Sequence, residues 1–215
     1  MLEIELFPGW KTYWRDPGYA GVPPAIDVAG SANVSAAEFD FPAPRRHDEG
    51  DSSWAGYDRP VSLPVRFTVA DPSLPVSVKA SIFLGVCETI CVPVKAEIAI
   101  DTMADPDNPD DAAAVSAAFE ALPPAATAEF GLRAASFEAD TLTVEAVLPA
   151  GAEDADLFLA AEGDYSFEEP KRWQKDGRTF FSIPAGRPET PPTSGGLHYT
   201  LVTSAGAVSG VLPFF

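Results

Sequence analysis

Phe83-Leu84-Gly85-Val86-Cys87-Glu88-Thr89-Ile90-Cys91-Val92-Pro93 carries the only two cysteines of a 215-residue chain. Glu88, Thr89 and Ile90 separate them. Fully extended, that spacing would hold the two Cα atoms about 13–14 Å apart. A disulfide needs about 4.4–6.8 Å. The chain must therefore turn between the cysteines, as one helical turn or as a three-residue hairpin loop. The flanks decide for the hairpin. Val78 to Leu84 and Val92 to Ile100 are rich in β-branched residues and partly alternate apolar with polar. The expectation is two antiparallel strands with a cysteine near each end of the turn.

In the chain-entropy picture, a bridge closing so short a loop contributes about 2 kcal/mol. A bridge across a tight turn is also prone to strain, which makes it easier to reduce. A chain of this length does not need a staple to fold. A redox pair and a minor structural staple both stay open on spacing alone. Two thiols without a neighbouring histidine are an incomplete zinc set, so no metal and no cofactor is expected. Cu(I), which accepts two thiolates, is the minor alternative.

Moving outward, the composition sets bounds. A formal charge of −18 argues against nucleic acid and against docking on anionic lipid. There is no run of 18 apolar residues, so direct membrane insertion is not expected. Met1 to Leu6 already alternates like a strand, so a secretory leader removed upstream is the expectation. Two cysteines and no others suit an oxidising compartment. No Ser/His/Asp set, phosphate-cradling glycine loop or paired-carboxylate motif is present. His47 in a polar loop and His198 in an alternating strand read as solvated and face residues.

Upstream of the hairpin, 22 prolines and 16 glycines punctuate short strands. Residues 2–7, Ala25 to Val28, the segment around Ser31 to Phe41 and Val61 to Val69 read as strands. Trp10, Tyr13 and Trp14 fall between two Pro/Gly turns and do not fit a simple alternation; core is the default reading, a partner-receiving surface the alternative. Arg45 to Ser53 reads as a surface loop. Short strands at this spacing indicate an antiparallel sandwich. After Ile100 the texture changes to an acidic, Pro-rich linker. A helix over Asp111 to Leu122 follows, capped by Asp110 or Asp111, with Val115, Phe119 and Leu122 on one face. A second strand series comprises Phe130–Phe137, Thr141–Leu148, Asp156–Ala161, Thr179–Ile183, Leu197–Val202 and Val208–Leu212. Tyr165, Phe167 and Trp173 lie in a loop-rich middle as core or contact surface. The fold class is all-β: two antiparallel β-sandwich domains, 1–102 and 125–215, joined by a linker, 103–124, with one short helix.

The runs Gly9-Trp10-Lys11-Thr12-Tyr13-Trp14-Arg15-Asp16-Pro17-Gly18 and Gly21-Val22-Pro23-Pro24 carry a resemblance. It continues through Phe41-Pro42-Ala43-Pro44, Gly56-Tyr57 and Leu63-Pro64-Val65 to Val86-Cys87-Glu88-Thr89-Ile90-Cys91-Val92-Pro93. Together, over residues 2–102, they resemble the periplasmic N-terminal region of DsbD-like thiol:disulfide interchange proteins. The branch they resemble most includes the suppressor-of-copper-sensitivity protein ScsB. The resemblance implies immunoglobulin-like domains, a periplasmic location and thiol:disulfide oxidoreductase activity. Cys87 and Cys91 fall on the family's redox pair, with Cys91 bonding to partners and Cys87 resolving. Implied partners are periplasmic thioredoxin-fold or other disulfide-bearing proteins, and a membrane-embedded DsbD-type electron donor. The family's aromatic cap loop corresponds in position to 48–57, with Trp54 and Tyr57 as shields; Trp10, Tyr13, Trp14 and Glu88 are further cap or partner-binding candidates. The cysteine spacing is shorter than in the enterobacterial members. A non-catalytic immunoglobulin-like binding module with a structural disulfide is the alternative function.

Overall fold

The cysteine stretch folds as a hairpin, Ser77–Cys87 against Cys91–Asp101, with Cys87 and Cys91 directly opposed. The loop is the three residues Glu88, Thr89 and Ile90, and the Glu88 N–H donates to the Ile90 carbonyl at 3.2 Å. The structure is a computed structural model that describes residues 1–215 except 20, 51, 153, 162, 191, 193, 194 and 215. Position 20 of the expected first domain, position 51 of the expected cap loop and positions 153, 162, 191, 193, 194 and 215 of the expected second domain thus lie outside the described residues.

Contacts divide the chain into Met1–Leu122 and Pro123–Phe215. The first unit holds β1 (Leu2–Ile4), β2 (Lys11–Tyr13), β3 (Ala25–Asp27), β4 (Val34–Phe39), β5 (Arg45–Glu49) and β6 (Ser52–Tyr57). It continues with β7 (Val61–Leu63), β8 (Val65–Val69), β9 (Ser77–Cys87), β10 (Cys91–Asp101) and α1 (Pro109–Glu120). Its main sheet runs β10-β9-β2-β6-β5, with β3 also on β9. The pair β4-β8 forms a second layer, so Val28, Val78 and Ala80 are buried against Val34, Ala37 and Phe67.

Three expectations are corrected in this unit. Val61 to Val69 is not one strand. Pro64 cannot donate to a ladder, and the chain changes sheet there: β7 pairs with β1 and β8 with β4. Arg45 to Ser53 is not a loop but most of the β5–β6 hairpin, turning at Gly50. Its polar sequence reflects an edge strand, where one ladder side meets water. The helix is capped by Asn108, whose side chain accepts from the Asp110 and Asp111 N–H groups, with Pro109 at the first helical position. Ala118 is its buried residue, while Val115 is exposed. The helix goes with the first unit: the Arg66 guanidinium lies 4.9 Å over the Phe119 ring.

The second unit holds β11 (Gly131–Glu138), β12 (Thr141–Val147), β13 (Ala155–Ala160), β14 (Ser166–Phe167), β15 (Lys171–Lys175), β16 (Arg178–Gly186), β17 (Leu197–Thr203) and β18 (Gly206–Leu212). The sheets β11-β12-β16-β14, with β15 on β16, and β13-β17-β18 enclose one core of Leu142, Val144, Leu157, Phe181, Ile183, Leu197 and Leu201. Alternation along β12 and β16 places Leu142, Val144, Phe181 and Ile183 on one face of their sheet. Tyr165 belongs to this core and stacks on Phe214, whereas Trp173 stays partly exposed on β15, stacked on Phe180. The class is all-β with immunoglobulin-like antiparallel sandwiches, as expected.

Candidate functional site

The register of the main sheet aligns the site on one face. Cys91 opposes Cys87, Cys87 opposes Lys11, Tyr13 opposes Gly56, and Trp54 opposes His47. Opposed residues share a face, as do residues two apart on a strand. Cys91, Cys87, Lys11, Tyr13, Gly56, Trp54 and His47 therefore line one surface across five strands, β10-β9-β2-β6-β5.

Cys87 and Cys91 are disulfide-bonded, with their Cα atoms 4.0 Å apart. The two sulfurs sit in different environments. Cys87 is 1% exposed and packs with Tyr13 and Trp54 in one buried cluster, whereas Cys91 is exposed. The Tyr13 hydroxyl reaches both, 3.0 Å from Cys87 Sγ and 3.3 Å from Cys91 Sγ. A disulfide sulfur carries no hydrogen, so the phenol is the donor. Tyr13 meets Trp54 edge-on at 5.8 Å. Trp54 in turn stacks on His47 at 4.0 Å, and the Lys11 ammonium lies 4.8 Å from its ring centroid. Beside the exposed sulfur, Ile90 projects into solvent at 73% exposure.

Glycines make room for this arrangement. A Cβ on Gly21 would come 2.7 Å from the Tyr13 ring, and one on Gly85 would come 3.2 Å from it. A Cβ on Gly56 would meet the Thr12 carbonyl at 2.3 Å and Trp54 at 3.0 Å. The Tyr13 ring is thus gripped between the backbones at Gly21 and Gly85, and Gly56 makes room for the β2 backbone and Trp54. Thr12 ties β2 to the cysteine strand, its hydroxyl donating to the Gly85 carbonyl at 3.0 Å.

The structure brings together Cys87, Cys91, Tyr13 and Trp54, and places the other candidates elsewhere. Tyr57 opposes Thr12 and so points to the opposite face from Trp54. There it is buried and its hydroxyl donates to the Pro42 carbonyl at 2.8 Å. Burial raises the Tyr57 pKa well above its ordinary value, against the opposing pull of the Arg15 charge. Trp14 is 1% exposed, with the Arg15 guanidinium over its ring. Trp10 is half-buried in the turn before β2. Glu88 is exposed at the hairpin tip, its side chain beside Gly9.

Sequence reasoning missed Lys11 and His47. Lys95 is the cation nearest to Cys91 along the chain, but it opposes Phe83 in the hairpin, four residues from the bridge in register. Lys11, 76 positions before Cys87, is the lysine that register places across from it. The one available signal was a lysine enclosed by Trp10, Tyr13 and Trp14. His47 gave no signal, because its aromatic partner is set by the β5–β6 pairing.

Residues 1–102 match the family model described as thiol:disulfide interchange protein DsbD, N-terminal. The resemblance read from the motifs therefore holds over that span. Among solved structures, the chain is similar to the N-terminal periplasmic domain of ScsB from Proteus mirabilis. The TM-score is 0.72 at 19% identity, covering 99% of this chain and 86% of that one. At that identity the likeness concerns the fold. A search of curated proteins returns no match. Among the described residues, no helix is long and apolar enough to cross a membrane.

Proposed function

We propose that this chain is a periplasmic thiol:disulfide exchange module that relays electrons from a membrane-embedded or thioredoxin-like donor to oxidised periplasmic proteins. The observation that carries the reading is the unequal exposure of the two sulfurs: Cys91 open beside a projecting Ile90, Cys87 enclosed. That is the arrangement exchange chemistry needs. In the reduced pair, the Cys91 thiolate attacks a partner disulfide. A Cys91–partner S–S bond forms, the partner's own S–S bond breaks, and its second sulfur leaves as a thiolate. The Cys87 thiolate then attacks Cys91 Sγ. The Cys87–Cys91 bond forms, the mixed disulfide breaks, and the partner leaves with both its sulfurs reduced. Two electrons have moved to the partner, and the donor restores the pair by the reverse exchange.

Trp54 and Tyr13 cover the inner sulfur, so an oxidant or small thiol reaches the bond only from the Cys91 side. The match of residues 1–102 to the interchange family supports the same chemistry. A reduction potential, read by equilibrating the Cys87–Cys91 bond in thiol buffers of graded potential, tests the reading against a purely structural bridge. Exchange requires a value less negative than about −300 mV; a more negative value is that of a structural staple.

A further inference from the structure

We infer that Lys11 is the electrostatic support of the Cys87 thiolate, and that it sets the rate at which the mixed disulfide is resolved. The inference rests on the exchange reading above and deepens it.

The resolving step needs a thiolate in an unfavourable place. Cys87 is 1% exposed, and burial in apolar surroundings disfavours the charged form of a thiol. Two of its neighbours are large aromatics, Tyr13 and Trp54. The residue after it is Glu88, and the whole chain carries −18. Left to these, the Cys87 thiolate would be scarcer and the mixed disulfide through Cys91 would resolve more slowly.

Lys11 opposes this. It is the register partner of Cys87 across β2–β9. Side chains so paired stand on one face with their Cβ atoms about 4.5–5.5 Å apart. Lys11 is itself 9% exposed, an unusual place for an ammonium. Its charge is held on this face by the Trp54 ring at 4.8 Å. Buried cations in low dielectric act strongly on near neighbours. The titratable and charged groups around Cys87 are Lys11 and Tyr13 from β2, His47 behind Trp54 on β5, Glu88 from the turn and Cys91 from β10. Tyr13 contributes a hydrogen bond to the sulfur; Lys11 contributes an ammonium carried on the strand position directly opposed to Cys87.

The expected effect has an unusual shape. Replacing the charge by an apolar stem of similar length, Lys11→Met, raises the Cys87 midpoint by about one unit. The thiolate fraction near neutral pH then falls about tenfold. Nucleophilicity rises with thiol basicity with a slope of about 0.4–0.5, which returns about threefold. Resolution is therefore about three- to fourfold slower near neutral pH and faster than wild type above both midpoints. A packing defect gives no such crossing.

The test uses the full chain, reduced and mixed with oxidised glutathione, quenched with acid and read by mass. Formation of the Cys91–glutathione adduct is one rate, its loss to the intramolecular bond the other. The inference predicts that Lys11→Met leaves formation nearly unchanged, slows loss near neutral pH with the crossing above, and that Lys11→Arg behaves as wild type. Equal loss rates in Lys11→Met and wild type across pH overturn it while leaving the exchange reading intact. A wild type that forms no adduct overturns both. Should Lys11→Met not fold, the wild-type residue decides alone. Cys87 thiolate absorbance in Cys91→Ala should show a midpoint at or below about 8.5 despite burial; a midpoint well above that value overturns the inference.

Discussion

At the scale of single residues, the site separates two aromatic side chains that the sequence could not tell apart. Trp54 and Tyr57 lie three positions apart on β6, an odd offset, so they point to opposite faces of the sheet. Trp54 shares one buried cluster with Tyr13 and Cys87, whereas Tyr57 donates to Pro42 on the far side. Replacing Trp54 with Ala should therefore speed reduction of the bond by dithiothreitol, while costing about 3–5 kcal/mol of stability for a buried aromatic. Tyr57→Phe should leave that rate unchanged and cost about 1 kcal/mol for the lost hydrogen bond, read by denaturant melts. Equal acceleration in both variants would place the cover on both residues. The cysteines, Tyr13 and Trp54 were legible as candidates because their residue types are chemically loud. Lys11 and His47 were not, because their roles arise from cross-strand neighbours that no local spacing reveals.

At the scale of elements, the hairpin was readable and the centre of the sheet was not. Three residues between cysteines, flanked by β-branched runs, left little but a tight hairpin, and β9 and β10 extend it on both sides. The segment Lys11–Tyr13 broke the expected alternation because β2 is buried on both faces, between β9 and β6. Lys11, Thr12 and Tyr13 are all buried, so residue type does not alternate with exposure there. The polar β5 misled in the opposite way, looking like loop because it is an edge. At Gly56 β6 lies close against β2, and a Cβ there would stand 2.3 Å from the Thr12 carbonyl. Gly56→Ala must push β6 outward, so it should destabilise the first unit by about 1–3 kcal/mol and loosen Trp54 over Cys87. A thermal melt that does not move would mean that the strand pair yields without cost.

At the scale of the whole molecule, the composition break after Ile100 is the sequence signal for a division of the chain, and the helix that follows it goes with the first unit. Phe119 under Arg66 ties α1 to the first unit, and contacts divide at Leu122–Pro123. Residues 1–122 contain every group of the site and their own core. Made alone, they should fold, keep the Cys87–Cys91 bond and match the full chain in exchange rate with oxidised glutathione. A fragment that is unfolded by circular dichroism would show that the first unit depends on the second.

The central claim is that one sulfur meets the partner and the other resolves. Its most direct measurement compares Cys87→Ala and Cys91→Ala, each reduced, in their rates of forming a mixed disulfide with oxidised glutathione, read by mass. The account predicts fast adduct formation at Cys91 in Cys87→Ala and little at the enclosed Cys87 in Cys91→Ala. Equal rates, or faster reaction at Cys87, would contradict it.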